Sequence, residues 1–301
     1  MNQVTKPAVF FDCYGTHLGV YGHDFSAALQ TLSSFRHFET ENEINPTIKI
    51  YLETKKKAPV SGVPVFRFRK SKAYGWSNRI IIYPEHQSVY LTKSNDLTEA
   101  YIYSEDPEFL NELLFLTISS LLGWQLESKG WIRLHAMSFL KNDAAVTLLG
   151  DSGTGKSTTA VQQIQKGVKI FSDEITLISP FGIVHSWPIP IQLSEKSISE
   201  LNVDRKSAVP FKKRMYSMKY QISLTKENLA KPAPLSFIRT PHSLFGALWR
   251  ITLGTGLPQV LEYQLRLDNF PSIIKILTRR FLFATKLALT KKLICSVAHE
   301  I

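Results

Sequence analysis

Only two cysteines occur in 301 residues, Cys13 and Cys295, near opposite ends of the chain. That is too few for a disulfide framework and the wrong spacing for a thiolate metal site or a redox pair, so a reducing, cytoplasmic setting is expected. The histidines at positions 17, 23, 37, 86, 185, 242 and 299 show no ligand spacing, and zinc is not expected. Long apolar runs are also missing. The most apolar late stretch, residues 281–295, is broken by Lys286, Lys291 and Lys292, whereas a membrane span needs roughly 20 nearly uncharged residues. It reads instead as an amphipathic helix with Phe270, Ile273, Ile274, Leu277, Phe281, Ala284, Ala288 and Leu289 at helical spacing. Residues 1–7 are polar and residues 8–11 are too short for a signal core, so no secretory leader is expected. Repeats and low-complexity tracts are absent as well.

What the chain does have is an ordinary globular composition, 44% hydrophobic and 20% charged, with a formal net charge of +11. That charge suits an acidic partner, and equally suits solubility alone. The length allows two modest domains or one large one. Residues 1–105 are strand-rich in pattern, with alternation in 48–52 and 63–68 and short β-type runs at 79–83 and 88–91 joined by a hairpin connection at 84–87. Residues 106–301 form the second region. It opens on a buried helix over 107–126 and continues through strands at 144–149, 168–173, 175–179 and 183–185. The Pro- and Lys-rich stretch 186–214 reads as an irregular loop, 215–224 alternates, and residues from Thr240 onward read as mostly helical with a break at 254–258. The fold class expected is α/β.

The decisive motif is Gly150-Asp151-Ser152-Gly153-Thr154-Gly155-Lys156-Ser157, followed by Thr158. It fits the phosphate-binding pattern G-x-x-x-x-G-K-[ST] at every fixed position, and its flanks read as strand then helix, the setting the motif needs. Glycines let backbone N–H groups close around phosphate oxygens, the lysine reaches between the outer phosphates, and the serine hydroxyl is a ligand for Mg²⁺. A nucleoside triphosphate, ATP or GTP, is the expected ligand.

Asp173-Glu174 ends a strand only 17 residues after Lys156. A carboxylate there can hold Mg²⁺ or take a proton from an acceptor hydroxyl. His135, in Leu134-His135-Ala136, is by itself an ordinary flanked core histidine. The Lys55-Lys56-Lys57 run and the basic cluster Arg67, Arg69, Lys70 and Lys72 read as solvated faces, although the interleaved Phe66, Phe68, Tyr74 and Trp76 keep a nucleic-acid surface in view at low weight.

Taken together, residues 134–178 resemble the catalytic core of the HPr kinase/phosphorylase family and its shorter relatives, the serine kinases found with peptide-maturation clusters. The resemblance rests on Leu134-His135, the glycine loop 150–158, Gly167 and the acids after Ser172. More loosely, Trp187-Pro188-Ile189-Pro190-Ile191-Gln192-Leu193 is similar to the segment that follows the acids in that family, and Lys212-Lys213-Arg214 to a downstream basic position near the transferred phosphate. The resemblance implies a P-loop core related to HPr kinase and phosphoenolpyruvate carboxykinase. It implies that Lys156 and the loop amides hold the triphosphate, and that Ser157 and Asp173 bind Mg²⁺. The acids 173 and 174 would deprotonate the acceptor, His135 would orient the γ-phosphate, and a residue of 212–214 would neutralise charge. The family usually shows Asp-Asp where this chain has Asp173-Glu174, so which acid is the base stays open.

The function expected is transfer of the γ-phosphate of ATP to a serine-type hydroxyl on an acidic peptide, a protein or a small molecule. Rival readings are a small-metabolite kinase, a nucleotide-binding regulatory protein without transfer, and, more weakly, a nucleic-acid-associated ATPase. Homo-oligomerisation accords with the resemblance but is specified by no motif.

Overall fold

Alternating burial along Ile48–Glu53, inward at Ile48, Ile50 and Leu52, is what a half-buried strand requires, whereas Ile132–Leu134, Ile170–Ser172 and Thr176–Ile178 are buried throughout; the chain is α/β with mixed sheets. The computed structural model describes residues 8–41, 45–53, 66–68, 71–76, 79–84, 88–94, 97–104, 107–151, 153–187, 189–211, 219–253 and 270–295. Two compact units divide the chain, one comprising residues 1–125 with 257–270 and the other 126–256 with 271–301.

The first unit holds a nine-stranded sheet of β1 (Ala8–Cys13), β2 (Thr16–Tyr21), β3 (Glu39–Thr40), β4 (Ile48–Glu53), β5 (Phe66–Phe68), β6 (Ser71–Trp76), β7 (Arg79–Pro84), β8 (Ser88–Ser94) and β9 (Leu97–Tyr103), in the order β3-β1-β2-β4-β9-β8-β7-β6-β5. β2, β4 and β9 run parallel and place Tyr21, Tyr51 and Tyr101 in one register row, their rings stacked at 5.2 and 4.7 Å. Such cross-strand aromatic rows stabilise one register over its neighbours. β7 and β8 pair antiparallel, as the hairpin reading expects, while residues 85–87 lie outside the described residues. So do Lys55, Lys56, Lys57, Arg69 and Lys70. Two helices, α1 (Leu29–Ser34) and α2 (Pro107–Ser128), complete the unit's described elements, α2 running on to Ser128.

The second unit is built on β10 (Ile132–Leu134), β11 (Ala136–Lys141), β12 (Ala144–Leu149), β13 (Ile170–Ser172), β14 (Thr176–Ile178), β15 (Ile183–His185), β19 (Ala233–Thr240) and β20 (Leu293–Cys295). They form a sheet in the order β10-β14-β15-β19-β12-β11-β13, with β20 also pairing β19. Neighbouring residues of β11 serve opposite faces. Ala136 joins a core with Leu149, Phe171, Ile238, Ala247, Ile251, Ala284 and Leu287, which is the face covered by α5 (Leu244–Leu253) and α6 (Phe270–Leu289). Met137 joins the other, with Ala160 and Val161 of α3 (Lys156–Gln165), Ile198 of α4 (Glu195–Glu200), and Ile191 and Leu193. Helices on both faces of a largely buried sheet are the layered solution this apolar patterning calls for.

Strand direction decides where the loops fall. β11 is antiparallel to both β12 and β13, so β12 and β13 point the same way with β11 between them, and β19 is parallel to β12. The residues after β12, β13 and β19, and the residue before β11, therefore gather at one end of the sheet. Asp173 follows β13, the next strand in the chain after α3, and β11 lies between β13 and the P-loop strand β12.

Two expectations are corrected. The stretch 186–214 is not wholly irregular. Its described part carries β16 (Ile191–Leu193), α4 and β17 (Ala208–Phe211), and β16 and β17 both pair with β18 (Lys219–Ile222). Ser194 caps α4 by accepting a hydrogen bond from the Ser197 amide at 3.1 Å, a local signal that the Pro and Lys content hides. α6 is helical as expected, but the buried stripe runs Ile273, Ile276, Arg280, Ala284, Leu287, leaving Ile274, Phe281 and Leu289 exposed. The reason is Arg280, an inward-facing charge: its Nε donates to Glu127 Oε1 at 2.9 Å, and Arg133 Nη2 donates to Glu127 Oε2 at 3.2 Å. No described helix is long and apolar enough to cross a membrane.

Candidate functional site

The segment after β12 turns through Gly150 to Gly155 and enters α3 at Lys156. Gly153 (φ 87°) and Gly155 (φ 84°) occupy left-handed conformations that a Cβ would strain. Gly150 is needed for a different reason: a Cβ there would lie 2.6 Å from Thr154 Oγ1. Thr154 Oγ1 in turn donates to the Asp151 carbonyl at 2.8 Å, pinning the turn. Gly155 is the N-cap of α3, and the helix carries no acidic residue of its own in the first turn, which leaves the amides of its N-terminus available to an anion. Ser152 lies outside the described residues. Thr158 is in the first turn of α3.

Lys156 Nζ donates to the carbonyls of Gly150 and Asp151, each at 2.7 Å. Burial lowers the lysine pKa, against the pull of Asp173, Glu174 and Asp151. Its ammonium is thus folded back onto its own loop, where phosphate oxygens would be better acceptors than neutral carbonyls.

Ser157 Oγ donates to Asp173 Oδ2 at 2.8 Å. Asp173 is almost fully buried, and its other oxygen, Oδ1, is shut from solvent with no hydrogen-bond partner. Burial pushes its carboxyl up to about 7 and Glu174 adds to the rise, while the Ser157 hydroxyl, Lys156 and the nearby Gln192 backbone amide, which falls short of hydrogen-bond geometry to Oδ1, oppose it. An orphaned buried carboxylate oxygen is costly unless a proton or a cation meets it. A hydroxyl and a carboxylate side by side, both hard oxygen donors, fit a Mg²⁺ ion that keeps most of its water and phosphate ligands. Among the described residues no group of three or more His, Cys, Asp or Glu side chains is placed to hold a metal ion.

Behind Asp173 a hydroxyl triangle fixes the strand ends. Ser138 Oγ is 2.9 Å from Thr176 Oγ1 and 3.3 Å from Ser172 Oγ, and Thr176 Oγ1 donates to the Ala136 carbonyl at 2.9 Å. All three hydroxyl residues are fully buried. His135 precedes β11 at the same sheet end. Its ring bonds the Glu174 carbonyl, the Ala136 amide donates to that carbonyl at 3.1 Å, and burial lowers the imidazole pKa while Glu174 raises it. Burial favours the neutral imidazole, whose single N–H is then taken by the Glu174 carbonyl.

Two residues that the sequence reading left aside complete the cluster. Arg250 of α5 donates through Nη1 to Asp151 Oδ1, and His242 Nε2 lies 3.8 Å from Asp151 Oδ2. Burial and the neighbouring cations Arg250 and Lys156 lower the His242 pKa. Arg250 is 99 residues from Asp151 and belongs to no motif; the one signal for it is that β19, parallel to the P-loop strand, must deliver its following segment to this end. His135, the glycine loop, Asp173 and Glu174 are brought together. Lys212, Lys213 and Arg214 lie outside the described residues.

No protein-family model matches the chain, and no curated protein matches it.

Proposed function

We propose that the protein is an ATP-dependent kinase with an HPr-kinase-like P-loop core, which transfers the γ-phosphate to a serine-type hydroxyl of an acidic peptide or protein. The observation that carries this reading is the pairing of Ser157 with a buried Asp173 whose second oxygen is unmatched. A glycine turn alone binds phosphate; a hydroxyl–carboxylate pair beside it supplies the cation position that triphosphate chemistry uses.

In this reading the loop amides, the N-terminus of α3 and Lys156 hold the triphosphate, and Ser157 with Asp173 holds Mg²⁺. When bound, the ion would neutralise charge on the β- and γ-phosphates. The acceptor oxygen attacks the γ-phosphorus, the new O–P bond forms as the bond to the β-bridging oxygen breaks, and ADP leaves with that electron pair. The acceptor proton passes to a carboxylate. Glu174 is assigned this role, because Asp173 is buried and already bonded to Ser157, whereas Glu174 is only partly buried. His135, held by the Glu174 carbonyl through one ring N–H, would orient the transferred phosphoryl group and donate to it through the other ring nitrogen only in its protonated form. The formal net charge of +11 favours an acidic acceptor.

The test is incubation with Mg²⁺, γ-labelled ATP and lysate of the source cell, beside Lys156→Ala and Asp173→Ala. Label on a discrete acceptor, lost in both variants, supports the kinase. Label on a small metabolite would move the assignment to a small-molecule kinase, and release of free phosphate alone would contradict transfer.

A further inference from the structure

A carboxylate in a phosphate-binding turn is unfavourable unless a fixed cation neutralises it, since like charges a few ångströms apart repel strongly in a partly desolvated site. Asp151 is such a carboxylate, and it is engaged on both sides. Its backbone carbonyl accepts from Lys156 Nζ at 2.7 Å, and its side chain accepts from Arg250. One residue of the turn thus holds both cations at the mouth of the loop. Resting on the nucleotide-binding reading above, we propose that Arg250 is a phosphate ligand of this site, aimed at the terminal phosphate of a bound triphosphate, with Asp151 as the residue that positions it.

Three observations carry the assignment. The Arg250 side chain is only 25% exposed, so it is held in place by its surroundings and is not a free surface arginine. Its contact with Asp151 uses Nη1, and a guanidinium has five donors in a rigid fork, so donors remain for phosphate oxygens while Asp151 keeps its hold. The third is topological: β19 runs parallel to β12, so the chain leaving β19 and entering α5 must pass the end of the sheet where Gly150 begins the loop. Charge adds to this. Lys156 and Arg250 feel each other's charge and share Asp151, while Asp173 and Glu174 also act on Lys156, so Arg250 is the second cation available to an incoming anion beside these acids. The rival explanation is a tether: Arg250 cancels the Asp151 charge and braces the loop without touching ligand. The two differ in whether the loss of Arg250 is felt more strongly when the terminal phosphate is present.

The measurement is calorimetric titration of the full chain with Mg²⁺ and either the non-hydrolysable imidodiphosphate analogue of ATP or ADP. Wild type, Arg250→Gln, Arg250→Lys, Asp151→Asn and the Asp151→Asn/Arg250→Gln double variant are compared. Arg250→Gln is expected to weaken the triphosphate analogue by about 10- to 100-fold while ADP stays within about 3-fold, the size of a lost charge-assisted hydrogen bond. Arg250→Lys should recover part of the loss, Asp151→Asn should show a smaller loss with the same triphosphate bias, and the double variant should be no weaker than Arg250→Gln. Equal losses for both nucleotides, or unchanged binding with a lowered melting temperature, would overturn the assignment and leave a tether. If wild type binds neither nucleotide and Lys156→Ala changes nothing, the nucleotide site itself fails and this proposal with it.

Discussion

Ser157 Oγ donates to Asp173 Oδ2 across 2.8 Å, joining the second residue of α3 to the residue that follows β13. The contact exists because β11 runs antiparallel to both flanking strands, so that β12 and β13 end at the same edge. It leaves Asp173 Oδ1 as a buried oxygen in need of a proton or a cation.

Stability should record that need. The Asp173 carboxyl is raised from 3.8 to about 7 in the folded protein. A raised carboxyl favours folding in its protonated form: the contribution is fully present below about pH 4, is lost as pH climbs to about 7, and is flat beyond. Over that window its loss amounts to roughly 4 kcal/mol at most. Asp173→Asn should flatten this part of the curve and be the more stable protein at pH 8 without Mg²⁺, as read by denaturant unfolding at fixed pH values. Equal pH slopes in both proteins would contradict the burial argument.

The same proton competes with Mg²⁺. The rise in melting temperature caused by millimolar Mg²⁺ should be small at pH 5.5 and large at pH 8, with apparent affinity gaining about tenfold per unit below pH 7. Ser157→Ala should diminish the effect, and Asp173→Asn should abolish it.

Gly150→Ala tests the turn. A Cβ 2.6 Å from Thr154 Oγ1 forces the hydroxyl away from the Asp151 carbonyl. A cost of about 1–3 kcal/mol is expected, with a weaker triphosphate affinity. The Gly150→Ala/Thr154→Ser variant keeps the hydroxyl and should recover little, whereas Gly150→Ala/Thr154→Ala should recover more of the stability.

The buried charges offer a control remote from phosphate chemistry. Glu127 faces both Arg133 and Arg280, all three within a few per cent of complete burial. Glu127→Gln leaves two guanidinium groups without their carboxylate and should cost about 3–5 kcal/mol in urea unfolding. Arg280→Met should cost less, because it also removes one of the charges.

Division of labour between the acids can be read from kinetics. Glu174→Gln should depress kcat by about 10²- to 10⁴-fold with Mg²⁺ dependence unchanged. Asp173→Asn should instead raise the Mg²⁺ concentration needed for half-maximal rate. The opposite pattern would exchange their roles.

The sequence made the local parts of this molecule readable and left the distant ones dark. Residues 144–158 could be read as strand, turn and helix because a glycine turn, a lysine and a hydroxyl must be adjacent in the chain to work together. Ile48–Glu53 was readable because burial on one face leaves a period of two. Arg250 and His242 were not, since their place beside Asp151 depends on the parallel pairing of β19 with β12, which no local pattern encodes. β19 itself is obscured by Pro234, its second residue, since proline argues against a strand reading. Arg280 reads as a solvent-facing charge on an amphipathic helix until Glu127, 153 residues away, is placed against it.

The most direct measurement is titration of Mg²⁺ and ATP into wild type and Lys156→Ala by calorimetry. Saturable binding by wild type, weakened at least about tenfold by the loss of one charged phosphate contact, is the result this account expects. No binding, or equal binding by both proteins, would contradict the claim that residues 150–157 form a triphosphate site.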